Sequence, residues 1–245
     1  MGWVLSMAGY KITLLKGGYK SFRHYVLQQF TVPMQMQVIG GHTGSGKTEL
    51  LGELEKMGEQ IIDLERYANH KGSAFGSLGL PDQPSNEQFE NLLGVRLRQI
   101  DYRRPVWIEA ESRSIGRVKI PDEFFRQMQV SPLIELEASR AYRAKRIAGE
   151  YGTFPEEMLK ACTEKLKKKL GGLLLHEALQ ALEENNFDRW LEILMDYYDK
   201  TYAHSLNERS PSERERLEVA DHESTVEIAA RLIAHSFNKS PQHLA

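Results

Sequence analysis

The octapeptide GHTGSGKT at residues 41–48 constrains the architecture of this chain more than any other stretch. Gly41, Gly46, Lys47 and Thr48 fit the pattern G-x-x-x-x-G-K-[ST], in which glycines let the backbone curl and turn its N–H groups inward on an anion. Such a loop needs a buried strand before it and a helix after it, because the positive end of that helix completes the anion site. Both flanks are present. MQVIG (36–40) is an apolar run, and KTELLGELEKM (47–57) suits a helix. Gly41, His42, Thr43, Gly44, Ser45, Gly46, Lys47 and Thr48 are therefore read as one phosphate cradle. Lys47 is its mobile charge, and Thr48 offers a hydroxyl to a Mg2+ ion. The pattern specifies phosphate or diphosphate; it does not specify ATP.

The rest of the sequence alternates strand-like and helix-like segments. KITLLKG (11–17) reads as a short strand, and 18–30 as an amphipathic helix with Phe22, Tyr25, Val26 and Gln29 at helical spacing. After Pro33 and the phosphate loop come a strand at 60–64, a polar Gly-rich loop at 69–85 and a helix at 86–101 capped by Ser85 or Asn86. A strand at 105–110, a short helix after Pro121 and a strand at 132–138 follow. Residues 139–205 read as almost wholly helical, and a strand at 216–220 and a helix at 225–237 close the chain. Continuous apolar strands separated by helices indicate a parallel sheet covered on both faces. The expected fold is α/β, of the P-loop NTPase type, with helices on both faces of a parallel sheet and an added helical segment at about 139–205. Pro33 is the expected domain boundary, because the 32 residues before it are too few to bury a core of their own.

Composition narrows the partners. The net charge of the 245 residues is −2, so a nucleic-acid partner would have to be held by local basic patches. No apolar run approaches the roughly 20 residues of a membrane span, and the N-terminus lacks the marks of a signal peptide. The single cysteine, Cys162, has no internal disulfide partner, which fits a cytoplasmic protein. It lies in a helical pattern, MLKACTEKL, and reads as a packed thiol.

Several charged positions carry candidate chemistry. VWIEAESRSIG (106–116) is an apolar strand ending in Glu109 and Glu111, two apart and so on one face. An acid at this place in a phosphate-loop protein holds a metal ion or its water, and a solvated strand end is the alternative. Arg113 is within reach of a phosphate or of either acid. Asp63 and Glu65 end the preceding strand beside the expected crevice, or cap the next turn. Arg140, Arg143 and Arg146 form either a phosphate clamp or a solvated helix side. KLKKK (165–169) with Arg96, Arg98, Arg103 and Arg104 is a candidate surface for a nucleic-acid backbone. His70 lies in a loop without the neighbours that zinc requires. Tyr197 and Tyr198 read as core contacts more readily than as a base-stacking platform.

More specific than any of these are DLERYANHKGSAFG (63–76), QPSNEQFEN (83–91), IEAESRSIG (108–116) and the LGG…EAL…W…YYD…Y pattern (170–202). With the phosphate loop, they resemble the C-terminal domain of the bacterial tRNA 2-selenouridine synthase family, from about residue 34 onward. LSMAGYKITLLKGGYKSFRHYVLQQF resembles the end of that family's rhodanese-like domain and its linker. The resemblance implies a domain remnant and linker at 1–32 and a P-loop domain with a helical insertion at 33–245. It also implies a tRNA-modifying transferase of the cytoplasm. Such enzymes alkylate the sulfur of a wobble 2-thiouridine with geranyl diphosphate, then replace the S-geranyl group using selenophosphate.

The loop's expected guest is then a prenyl diphosphate, with Mg2+ admitted and no tightly bound cofactor expected. Lys47, Glu109, Glu111 and Arg113 become the catalytic candidates. Asp63, Glu65, His70, Gly72, Ser73, Phe75, Arg140 and Arg143 become the substrate-binding ones. The family's selenium step uses a cysteine of the rhodanese-like part, and Cys162 is not its equivalent. The expectation is therefore substrate binding and geranylation by this chain, with a separate rhodanese-like chain as a further partner. Two other readings compete: an ATP-dependent small-molecule or nucleotide kinase, and a non-catalytic tRNA-binding module.

Overall fold

The computed structural model describes residues 2–207, 209 and 212–239. In chain order the elements are α1 (Gly2–Met7), α2 (Gly18–Gln29), β1 (Met36–Gly41), α3 (Lys47–Lys56), β2 (Gln60–Ile62), α4 (Leu64–Ala68), α5 (Asn86–Leu97) and β3 (Val106–Glu109). There follow β4 (Ser114–Ile115), β5 (Val118–Lys119), α6 (Asp122–Val130), β6 (Leu133–Ala138), α7 (Arg140–Tyr151), α8 (Glu156–Glu164) and α9 (Lys167–Leu170). The last are α10 (Gly172–Glu183), α11 (Phe187–Asn207), β7 (Arg214–Val219) and α12 (Thr225–Lys239).

Five strands form one parallel sheet in the order β2-β3-β1-β6-β7. β1 is central, and the chain leaves its C-terminal end between β3 and β6. That is the switch point at which open α/β sheets bind ligands. Alternate side chains of each strand go to opposite faces. Val38, Val106, Ile108 and Leu133 enter a core with Phe30, Phe89, Leu93 and Phe124 of the chain around α2, α5 and α6. Ile39, Trp107, Ile134 and Leu136 enter a second core with Leu50, Leu51 and Leu54 of α3 and Ile228 and Leu232 of α12. Both faces are thus covered, which is why the strands read as unbroken apolar runs. Glu135 is the buried exception on β6; Arg214 of β7 pairs with it at 2.8 Å.

A third core is built inside the helical segment by Ile147, Tyr151, Leu159, Leu166, Ala178 and Trp190, joined by Phe75 from the Gly-rich loop. The Trp190 indole N–H donates to the Thr163 hydroxyl at 3.0 Å, so its one polar atom is satisfied in the interior. Among the described residues, no helix is long and apolar enough to cross a membrane.

Three expectations need correction. Residues 11–15 form no strand; they are mostly exposed and pair with no sheet edge, and an unpaired segment has nothing to satisfy its backbone groups but water. The second strand stops at Ile62 because the Asp63 carboxylate accepts from Arg66 N at 2.8 Å and starts α4. The ESRSIG segment is not a plain loop but enters the β4–β5 hairpin. Residues 18–30 dock on the main body: Val26 and Phe30 are buried in the first core, and Arg23 reaches Asn91 of α5 at 2.7 Å.

Candidate functional site

The phosphate loop stands between β1 and α3 as its sequence requires. Gly44 and Gly46 have φ of +82° and +88°. At Gly44 a Cβ would also meet the Arg143 carbonyl at 2.8 Å, so neither the conformation nor the space admits a side chain. The Lys47 ammonium lies across the loop, donating to the carbonyls of Gly41 at 3.0 Å and His42 at 3.4 Å. Ser45 is buried, and its hydroxyl has no protein partner.

Carboxylates gather beside this loop. The Thr48 hydroxyl donates to Glu65 at 3.4 Å. Glu109, at the end of β3, is 3% exposed and its Oε1 has no hydrogen-bond partner. Burial pushes its carboxyl up to about 7 against the pull of Lys47, with Glu111 adding to the rise. Burial, then the charges of Glu109 and Glu111, push Glu65 up to about 10. Burial also raises Glu111, opposed by Lys47, and burial raises Asp63, opposed by its bond from Arg66. Lys47 thus faces three acids that resist ionisation together.

Among the described residues, no three His, Cys, Asp or Glu form a metal cluster by themselves. Mg2+, however, takes one or two carboxylates plus phosphate oxygens and water. Thr48, Glu65 and the unpartnered oxygen of Glu109 are hard donors beside a phosphate loop, and they fit that need.

The ANHKGSAFG loop closes over the acids. A Cβ on Gly72 would stand 3.0 Å from Glu111 Oε2 and 3.2 Å from Glu65 Oε1, so both carboxylates crowd the space a side chain would need there. The Ser73 hydroxyl accepts from Phe75 N at 3.1 Å, and the Ala74 N–H donates to the Tyr198 hydroxyl at 3.2 Å. Phe75 packs on Tyr151 and Trp190, with centroids 5.5 Å away in each case. His70 is buried between Gly76 and Gly116, where burial, helped by Lys165, lowers its basicity. It wedges two turns apart from within the fold.

Against Ser73 and Phe75 lies a small apolar hollow of about 20 Å³. Its walls include Ile147, Trp190, Leu194, Met195 and Tyr198, and Thr43 of the phosphate loop borders it directly. A phosphate cradle and a hydrocarbon-lined hollow therefore share a wall.

The arginines are placed differently from the clamp expected of them. Arg143 is 5% exposed and its guanidinium is committed to the protein, with two 2.8 Å bonds to Asp199 and one of 3.3 Å to the Thr43 carbonyl. Arg140 pairs with Asp196 at 2.6 Å. Arg146, named with the candidate clamp but not among the substrate-binding residues, lies on the loop itself: its Cζ is 3.2 Å from where a Gly46 Cβ would be, it pairs with Glu49, and it stands over the Tyr142 ring. Arg113 is carried by the hairpin to Asp122 of α6, its ion-pair partner in place of Glu109 or Glu111. Of the other basic candidates, Arg96 is drawn onto the Ile61 carbonyl, Arg103 onto Asp101 and Arg104 onto the Gly58 carbonyl. Arg98 and Lys167, Lys168 and Lys169 are exposed.

Asp199 and Tyr202 end the YYD…Y pattern, but sequence reasoning assigned them no role in the site. Asp199 accepts from His42 at 3.0 Å as well as from Arg143, and the Tyr202 ring packs on His42 with centroids 4.6 Å apart. The available signal was an acid on a helix whose neighbouring positions are aromatic.

A family model described as the tRNA 2-selenouridine synthase AAA domain matches residues 34–232. The tRNA 2-selenouridine synthase of Marinobacter nauticus is 32% identical, aligned over 82% of this chain and 63% of its own length. That of Pseudomonas putida strain GB-1 is 32% identical over 99% of this chain and 71% of its own. The chain thus spans 63% and 71% of the length of these two relatives. Among solved structures, a tRNA isopentenylpyrophosphate transferase from Bacillus halodurans aligns over 84% of this chain and 98% of its own at 13% identity. Its TM-score of 0.43 is too low to bear on function.

Proposed function

Because this chain belongs to the tRNA 2-selenouridine synthase family, we propose that it alkylates the sulfur of a wobble 2-thiouridine in tRNA with geranyl diphosphate. The observation that carries this reading is the wall shared by the phosphate loop and the apolar pocket. A nucleoside triphosphate needs the loop but would set a polar ribose and base, not hydrocarbon, against that apolar wall. An allylic diphosphate needs both. Its diphosphate lies in the cradle of Gly41 to Thr48, and its chain enters among Ile147, Trp190, Leu194 and Met195 as these side chains part, because a geranyl group is larger than the hollow of about 20 Å³.

In the reaction, the thiocarbonyl sulfur attacks the allylic carbon, the carbon–oxygen bond breaks, and the electron pair leaves with the diphosphate. The N3 proton of the base is released. A thiocarbonyl sulfur is a soft nucleophile and needs little activation, so catalysis falls on the leaving group. Charge builds on the departing diphosphate. The loop N–H groups, the N-terminus of α3 and the Lys47 ammonium oppose it in fixed positions. Mg2+ held by Thr48, Glu65 and Glu109 would add charge neutralisation at the same oxygens.

Selenophosphate then serves a second step, the exchange of the S-geranyl group for selenium. Cys162 is buried in the helical core, so it presents no thiol to a substrate. We assign that step's thiol to a rhodanese-like chain or segment outside these 245 residues.

The test is nucleoside mass analysis after incubating the chain with 2-thiouridine-containing tRNA, Mg2+ and geranyl diphosphate. S-geranyl-2-thiouridine is the expected product. No modified nucleoside, together with ATP turnover on a small-molecule acceptor, would overturn the proposal in favour of a kinase.

A further inference from the structure

We infer that Asp199 is a positioning residue that sets the shape of the phosphate loop and ties it to the wall of the apolar pocket. Its two carboxylate oxygens hold two residues from two other parts of the chain, and Arg140 of α7 stands 3.9 Å from Oδ2. Oδ1 takes His42 of the loop at 3.0 Å and Arg143 Nη1 of α7 at 2.8 Å, and Oδ2 takes Arg143 Nη2 at 2.8 Å. Arg143 Nη1 in turn donates to the Thr43 carbonyl at 3.3 Å. The planar fork of an arginine fixes direction as well as distance. Two consecutive loop residues, His42 by its ring and Thr43 by its backbone, are thereby fixed to one carboxylate.

The same three elements wall the apolar pocket. The loop contributes Thr43, α7 contributes Ile147 one turn beyond Arg143, and α11 contributes Met195 and Tyr198 beside Asp199. Burial alone would raise the Asp199 carboxyl; the Arg143 bonds and charge, with His42, outweigh it and hold the group below its ordinary value. The ion pair is thus the joint at which a phosphate on the loop and a hydrocarbon in the pocket are held in register. The part about the pocket rests on the prenyl reading above. The loop clamp does not.

Isothermal titration separates the two. Inorganic diphosphate with Mg2+ probes the loop, and geraniol probes the pocket. Asp199→Asn and Arg143→Lys are each expected to weaken diphosphate binding about tenfold, with geraniol affinity within about twofold of wild type. Asp199→Glu, which keeps the charge, should recover part of the loss. A folded Asp199→Asn with wild-type diphosphate affinity overturns the inference, as does equal weakening of both probes, which marks a general structural role. If Asp199→Asn does not fold, Arg143→Lys and Asp199→Glu carry the test, and wild-type diphosphate affinity in both overturns it. Geraniol failing to bind the wild type would remove the prenyl reading and the register with it. The diphosphate titrations would still decide the loop clamp.

Discussion

The Lys47 ammonium donates to the carbonyl of Gly41 across 3.0 Å, folding over the loop that carries it. Its charge is also the chief force opposing burial at Glu109 and Glu111. The lysine therefore sits where phosphate oxygens and acids compete for it. Lys47→Ala is expected to weaken inorganic diphosphate binding by roughly 10–100-fold. Its far-UV circular dichroism and melting temperature should stay close to wild type. Titration with unchanged affinity would remove the loop as the phosphate site.

Glu109 should make stability depend on pH. Its folded value, about 7, lies above the ordinary 4.5 because burial disfavours its charge. A group raised in this way leaves the fold fully stable below the unfolded value, and stability is lost as pH rises through the folded one. Wild type should therefore lose stability between pH 5 and pH 8 relative to Glu109→Gln. At pH 8 the variant is expected to be more stable by on the order of 2 kcal/mol, and at pH 5 nearly equal. Thermal melts at the two pH values decide it; a variant no more stable at pH 8 would mean that the carboxylate is fully compensated.

The parts of this molecule legible in the sequence are those set by local pattern. Unbroken apolar runs such as MQVIG and VWIE mark strands buried on both faces, and Ser85 caps α5 by accepting from Gln88 N at 3.2 Å. The phosphate loop declares itself by its glycines. What stayed hidden was set by pairing across the chain. Nothing local distinguishes Arg143, which is locked to Asp199 56 residues away, from Arg140, which lies half-exposed on the same helix. KITLLKG alternates like a strand yet finds no edge to join. The apolar pocket has walls from the Gly-rich loop, α7 and α11, and no single segment of sequence announces it.

Gly72 is expected to resist substitution for two reasons at once. Its φ of +66° disfavours any side chain, and a Cβ would press on carboxylate oxygens of Glu111 and Glu65 at 3.0 and 3.2 Å. Gly72→Ala should cost about 1–2 kcal/mol in urea denaturation from the backbone conformation alone. It should also lower geranylation, because the acids must spread. Retention of both full stability and full turnover would show that the loop does not bear on the acids.

The pocket gives the sharpest discrimination, since its occupant is defined by shape. Leu194 is 4% exposed and lines the hollow on α11. Leu194→Phe reduces the space without touching the phosphate loop. Burial of each methylene contributes about 0.8 kcal/mol, so excluding two of them predicts a rise in KM for geranyl diphosphate of about tenfold. Inorganic diphosphate, which has no hydrocarbon, should bind within about twofold of wild type. Leu194→Ala makes the opposite change and should shift preference toward the longer farnesyl diphosphate, at a stability cost of about 2–4 kcal/mol that a melt will register. The two variants thus move chain-length preference in opposite directions while both leave the diphosphate alone. Parallel changes in geranyl diphosphate and inorganic diphosphate affinity would mean that the hydrocarbon lies elsewhere.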